Sequence, residues 1–142
     1  MKKILVINGP NLNTLGNREN SIYGSKSLDD IEKECLDLGD RLDIKISFFQ
    51  SNSESQIIDC IQNSREVYSG LIINAGAYTH TSIAIHDSLK LLDFPIIEVH
   101  LSNPYKREGF RQKSLISPLA KGIICGLGSD VYLLGIQTLK KL

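Results

Sequence analysis

An excess of charge of either sign is missing from this chain. Sixteen Lys and Arg side chains balance sixteen Asp and Glu over 142 residues, for a formal net charge of +0. That balance removes the electrostatic case for a nucleic-acid partner. It also favours self-association of a small domain. Long apolar runs are missing too. The first, Ile4–Ile7, breaks at Asn8-Gly9-Pro10, too short for the apolar stretch of a signal peptide and far below the roughly 20 residues of a membrane span. Cysteine is scarce: Cys35, Cys60 and Cys125 have neither metal-like nor redox spacing. Three such thiols suit a reduced compartment, so the expected location is the cytoplasm, with no membrane partner. There is no Gly-x-Ser-x-Gly elbow, no P-loop and no Gly-x-Gly-x-x-Gly after the first apolar run. His80, His86 and His100 with Asp87 and Glu98 match no familiar zinc arrangement, so no metal is expected.

What is present is an alternation of strand-length apolar runs with amphipathic helical stretches, within the length of one domain, residues 1–142. Ile4–Ile7, Ile44–Phe49, Leu71–Ile73, Pro95–Val99 and Gly122–Cys125 read as strands. Leu28, Ile31, Cys35, Leu38 and Leu42 recur at helical spacing behind Ser27, a predicted N-cap. Ser53-Glu-Ser-Gln56 has the form of a capping box ahead of Ile57, Ile58 and Ile61. Ile83, Ile85, Leu89 and Leu92 predict a third helix stopped by Pro95, and Asp130–Leu142 a last one. Repeating strand–helix units with doubly apolar strands imply a parallel sheet covered on both faces. The expected fold is an α/β, flavodoxin-like three-layer sandwich with five parallel strands.

In such folds ligands sit beyond the carboxyl ends of the strands, and the polar clusters of this chain fall there. Asn8–Gly24 follows strand one, a long segment of the kind that is usually functional. It carries Asn8, Asn11, Asn13, Arg18 and Tyr23, with Gly9, Gly16 and Gly24 as candidate hinges. A phenol serving as a base near pH 7 must be shifted by roughly 4 kcal/mol. A guanidinium about 4 Å away supplies on the order of 4 kcal/mol at an effective dielectric of 20. One or two arginines that close would make a usable tyrosinate where desolvation of the phenol does not cancel the gain, which is one reading of Arg18 and Tyr23. A loop tyrosine covering apolar surface beside a solvated arginine is the other, and from spacing alone the plainer one. His100 ends strand four in Glu98-Val-His-Leu-Ser-Asn103, where an imidazole suits acid–base work. A histidine bonded to backbone is the alternative. Arg107 and Arg111, at helical i,i+4 spacing, are candidates to hold a carboxylate or to charge-balance Tyr23. Asn74, Gly76, His80, Thr81 and Ser82 lead into helix three, whose first N–H groups favour an anion. For the Thr81 or Ser82 hydroxyl a simple N-cap is the plainer role, and Asp87 within that helix reads as a surface carboxylate.

Taken in order, Asn8-Gly-Pro-Asn-Leu-Asn13, Gly16-Asn-Arg18, Tyr23-Gly24, Asn74-Ala-Gly76, Thr79-His-Thr-Ser82 and Glu98-Val-His-Leu-Ser-Asn103 resemble the type II 3-dehydroquinate dehydratases. Phe110-Arg111, Ala120–Gly126 and Tyr132-Leu-Leu-Gly135 extend the resemblance over nearly the whole chain. It implies a cofactor-independent lyase of the shikimate pathway, serving chorismate and aromatic amino acid biosynthesis. The implied assembly is a homododecamer, a tetramer of trimers. By residue, it implies Tyr23 as the base, Arg18 as the lid cation that keeps the phenolate charged, Asn11 as the holder of an enolate-stabilising water, and His100 as the acid. Asn74, His80, Leu101, Ser102 and Arg111 would bind 3-dehydroquinate, and Asp87 would reach a neighbouring subunit's site. Arg107, Glu98 and Gly76 would support them. Thr14, Asn20 and His86 depart from the family pattern without touching a chemical role. The competing class, a flavin-binding or signalling module, wants acidic or hydroxyl-rich residues where this chain has Asn8 and Asn74.

Overall fold

The protein's structure, a computed structural model, describes residues 1–17 and 19–142. Five parallel strands form one sheet: β1 (Lys2–Asn8), β2 (Ile44–Gln50), β3 (Gly70–Asn74), β4 (Ile96–His100) and β5 (Gly122–Cys125), in the order β2-β1-β3-β4-β5. This is the flavodoxin-like arrangement, with its switch point between β1 and β3. Period-two alternation between two covered faces explains why the central strands are apolar along most of their length. Ile4 and Val6 of β1, Ile72 of β3, and Ile97 and Val99 of β4 face one core. Leu5 and Ile7, Leu71 and Ile73, and Ile96 face the other.

The first core is closed by α2 (Leu28–Leu42) and α5 (Asp130–Lys141), and the second by α3 (Glu54–Ser64) and α4 (Ile83–Leu89). Ser27 caps α2 with a complete box: its hydroxyl accepts from Asp30 N–H, and the Asp30 carboxylate accepts from Ser27 N–H. At α3 only half of the expected box forms. Ser53 Oγ accepts from Gln56 N–H, but Gln56 Oε1 is taken by the Ser51 hydroxyl and does not return to Ser53. The third helix is shorter than its apolar spacing suggests, ending at Leu89 before Leu92. No helix among the described residues is long and apolar enough to cross a membrane.

The ends of β1 and β3 are drawn unusually close. Gly9 N–H donates to the Asn74 carbonyl at 2.8 Å, and a Cβ on Gly9 would lie 2.3 Å from the Ala75 carbonyl oxygen. Both neighbours are backbone, so neither can swing aside. Gly9→Ala is therefore expected to cost about 3 kcal/mol, at the upper end for overpacking, and to lower the urea midpoint accordingly. An unchanged midpoint would contradict the close approach.

Candidate active site

The close approach at Gly9 brings the segments after β1, β3 and β4 around one cleft of about 660 Å³. Asn11, Tyr23, Asn74, Gly76, His80, His100, Leu101, Ser102, Arg107 and Arg111 all line it, joined by Pro10, Leu12, Ala77 and Pro104. Ten of the thirteen candidates thus converge. Of the others, Glu98 lies directly behind His100, Asp87 sits elsewhere, and Arg18 lies outside the described residues.

Each cleft side chain is held by a local device. Asn8 is not part of the loop: it ends β1, buried, in register with Asn74. Asn11 adopts the left-handed region at φ 69°, which Asn tolerates better than most residues. Its N–H donates to Asn52 Oδ1 at 2.9 Å, and its carbonyl accepts from the Thr14 hydroxyl at 2.6 Å. Tyr23 ends a one-turn helix, α1 (Asn20–Tyr23), where the sequence suggested only loop. Gly24 at φ 88° then turns the chain away. The guanidinium carbon of Arg107 sits 5.1 Å from the centre of the Tyr23 ring, within cation–π range. Arg107 and Arg111 do not share a helix, despite their spacing. They lie at two separate 3-10 turns, Pro104–Lys106 and Gly109–Arg111, because Asn103 caps the first turn and Pro104 starts it. Arg111 Nε donates to Glu108 at 2.6 Å.

His100 and Glu98 occupy alternate positions on β4, so their side chains leave the same face. His100 Nε2 and Glu98 Oε2 are 2.5 Å apart, with the carboxylate only 1% exposed. Burial pushes the Glu98 carboxyl up, but hydrogen bonds from His100, Ser117 and Ser114 outweigh it and hold Glu98 below the ordinary carboxylate range. The carboxylate is therefore charged at neutral pH and orients the imidazole. His80 is set differently. Its Nδ1 lies 2.8 Å from the Lys113 carbonyl, which can only accept, so Nδ1 carries the proton. Burial lowers its affinity for a second proton, and the charges of His100 and Arg111 add to that against the Lys113 carbonyl. His80 thus keeps Nε2 as an acceptor, suited to a substrate hydroxyl.

Two arginines and no carboxylate line the cleft among the described residues, which makes it a site for an anion. The Ser82 hydroxyl is not offered to that anion. It accepts from Ile85 N–H at 2.9 Å as the N-cap of α4 and donates to Glu54 Oε2. Asp87 points to solvent, 4.0 Å from Lys90 and 65% exposed, away from its own cleft. No group of three or more His, Cys, Asp or Glu side chains among the described residues is arranged to hold a metal. Sequence reasoning missed Ser114 and Ser117, which hold Glu98 from 16 and 19 positions away. It also missed Tyr132, which joins Asn8 to Asn74 across the core. Only the Tyr132-Leu-Leu-Gly135 motif drew attention to that region, and it carried no role.

Residues 2–140 match the family described as Dehydroquinase class II. The 3-dehydroquinate dehydratase of Prochlorococcus marinus (strain NATL1A) is 55% identical over 134 residues, covering 94% of this chain and 92% of the relative. That of Geotalea daltonii is 53% identical over 137 residues, covering 96% and 95%. Among solved structures, the type II dehydroquinase of Butyrivibrio crossotus superposes with a TM-score of 0.95 at 43% identity, over 97% of each chain. That of Propionibacterium acnes does so at 0.97 with 39% identity, over 100% of this chain and 98% of the other.

Proposed function

This chain belongs to the class II dehydroquinase family, and from that membership we propose that it removes water from 3-dehydroquinate to give 3-dehydroshikimate, in the shikimate pathway. The observation that carries the proposal is the meeting of a phenol, two imidazoles and two guanidiniums in one cleft with no lining carboxylate among the described residues. A substrate bearing a carboxylate, a ketone and a leaving hydroxyl matches that lining. A flavin-binding or signalling role has no comparable support.

In this scheme Tyr23 takes the proton alpha to the ketone, and the electron pair moves into an enolate. A water held by Asn11 stabilises the enolate oxygen, as preorganised donors do at a developing charge. Collapse of the enolate expels the hydroxyl, which His100 protonates to water. An acid of this kind needs both ring nitrogens protonated, and Glu98 supplies the counter-charge. Asn74, Leu101 and Ser102 bind beside Arg107, His80 Nε2 accepts from a ring hydroxyl, and Arg111 pairs with a ring hydroxyl or the carboxylate region. The scheme uses no cofactor and runs within a single catalytic domain in the cytoplasm.

Arg18 is assigned to keeping the Tyr23 phenolate charged when the lid shuts and excludes water. Arg18→Gln is expected to lower turnover and to move the rising limb of the pH–rate profile toward higher pH, because the phenolate loses a positive neighbour. A profile unchanged in height and position contradicts the assignment. Assembly into a dodecamer built from trimers is part of the same proposal, and it gives the exposed Asp87 a neighbouring cleft to reach. Sedimentation analysis reads the assembly.

The deciding experiment is incubation of the purified chain with 3-dehydroquinate while following the ultraviolet absorbance of the conjugated product. Absence of product from assembled protein overturns the activity.

A further inference from the structure

Behind the cleft, three polar side chains from three elements meet away from solvent. Asn8 at the end of β1, Asn74 at the end of β3 and Tyr132 in α5 are exposed by 1%, 4% and 0%. The Tyr132 hydroxyl donates to Asn8 Oδ1 at 2.5 Å and accepts from Asn74 Nδ2 at 3.1 Å. Asn74 Oδ1 accepts in turn from Gly76 N–H at 3.2 Å.

Counting protons determines which way each group faces. Burial pushes the Tyr132 phenol well above its ordinary value, and the hydrogen bond from Asn74 offsets only part of that, so the proton stays on oxygen. A phenol has one proton to give, and here Asn8 takes it. The phenol oxygen then has only acceptor capacity left, so Asn74 must present nitrogen to it. With its oxygen on Gly76 and one N–H on Tyr132, the Asn74 amide has a single polar hydrogen uncommitted among the described residues, and Asn74 lines the cleft. A second observation points the same way. Asn8 Nδ2 is buried without a partner among the described residues, an arrangement that native structures seldom keep without a reason. The arrangement keeps the Asn8 oxygen on Tyr132 and leaves its own nitrogen unsatisfied.

We propose that Tyr132 is a positioning residue that locks the Asn74 amide as a hydrogen-bond donor to the substrate, selecting a carboxylate or carbonyl oxygen at that point of the cleft. The inference rests on the activity proposed above and adds to it a residue that never touches the substrate.

The test is Tyr132→Phe in the full chain, which keeps the ring and removes the proton. The KM for 3-dehydroquinate is expected to rise about 10-fold or more, with kcat within about 3-fold of the parent. In an Asn74→Ala background the same change should leave KM where Asn74→Ala alone puts it, since the two act through one contact. Should Tyr132→Phe fold poorly, Tyr132→Phe with Asn8→Leu replaces the orphaned polar pair by apolar contact and should show the same rise in KM. An unchanged KM, or a rise that persists undiminished in the Asn74→Ala background, overturns the inference. A crystal structure of Tyr132→Phe reads the Asn74 amide without turnover: an amide displaced from its place in the cleft is expected, and an unmoved one overturns the inference. A parent enzyme that fails to turn over 3-dehydroquinate, with the amide displaced in the variant, counts against the activity and leaves the positioning role supported.

Discussion

Replacing Tyr23 by phenylalanine is expected to lower kcat by about 10³-fold or more while leaving the fold and most of the substrate affinity intact. The expectation follows from what the substitution spares. The aromatic ring remains at the end of α1, where the Arg107 guanidinium lies 5.1 Å from its centre, so the cation–π contact and the packing of the one-turn helix survive. Only the phenolic oxygen is lost. If that oxygen removes the alpha proton, the other basic groups of the lining already have other tasks. Among the described residues the cleft holds no carboxylate or lysine, His80 Nε2 is assigned to a substrate hydroxyl, and His100 to the departing one. General base catalysis is worth about 10²–10⁴ in rate, and a 10³-fold loss is about 4 kcal/mol of transition-state stabilisation. The measurements are kcat from product absorbance and the Kd for 3-dehydroquinate by calorimetry, which an inactive variant permits. Turnover at the parent rate would remove Tyr23 as the base.

His100→Ala has the second-largest expected effect, a fall in kcat of about 10²–10³-fold, and it should differ in kind. The imidazole is 12% exposed and bonded to a buried carboxylate that Ser114 and Ser117 also hold. A carboxylate anchored in this way holds the imidazole at one angle. Its loss should halt departure of the hydroxyl while proton abstraction by Tyr23 continues. Exchange of the substrate's alpha hydrogen in heavy water, followed without net dehydration, separates the two steps. Exchange near the parent rate with dehydration strongly reduced is the expected pattern. Equal loss of both would assign His100 to binding or to the first step. The variant also leaves Glu98 buried with one hydrogen-bond donor fewer, so a lower urea midpoint should accompany the change in rate.

The strands were legible because their chemistry is local. Doubly buried parallel strands are apolar along most of their length, and Ile4–Ile7 and Leu71–Ile73 are continuous apolar runs, while Gly122–Cys125, at the sheet edge with Ile123 half exposed, keeps the apolar run without the burial. Ser27 was legible as a cap for the same reason, and the cap of α4 was narrowed to Thr81 or Ser82, of which Ser82 serves, since an N-cap hydroxyl acts within three residues of itself. The misreadings came where partners further along the chain compete. Gln56 completes no box because Ser51 takes its side chain, and Arg107 and Arg111 share no helix because Asn103-Pro104 starts a tighter turn. Tyr23 was recognisable as a site residue, yet its one-turn helix was not. Four residues carry too little periodicity to separate a helix from a loop.

By itself the sequence determined the alternation of strands and helices, the parallel three-layer fold, and the placement of Asn11, Tyr23, Asn74 and His100 at the carboxyl ends of strands. Each of these follows from residue type and short-range spacing. Only the tertiary structure decided which atoms those residues offer. Glu98 orients His100 because Ser114 and Ser117 fold back onto it. His80 offers Nε2 because the Lys113 carbonyl occupies Nδ1. Asn74 offers N–H because a phenol 58 positions away spends its one proton on Asn8. Hydrogen bonds are directional and their donors are counted one by one, so their outcome depends on contacts between residues far apart in the chain.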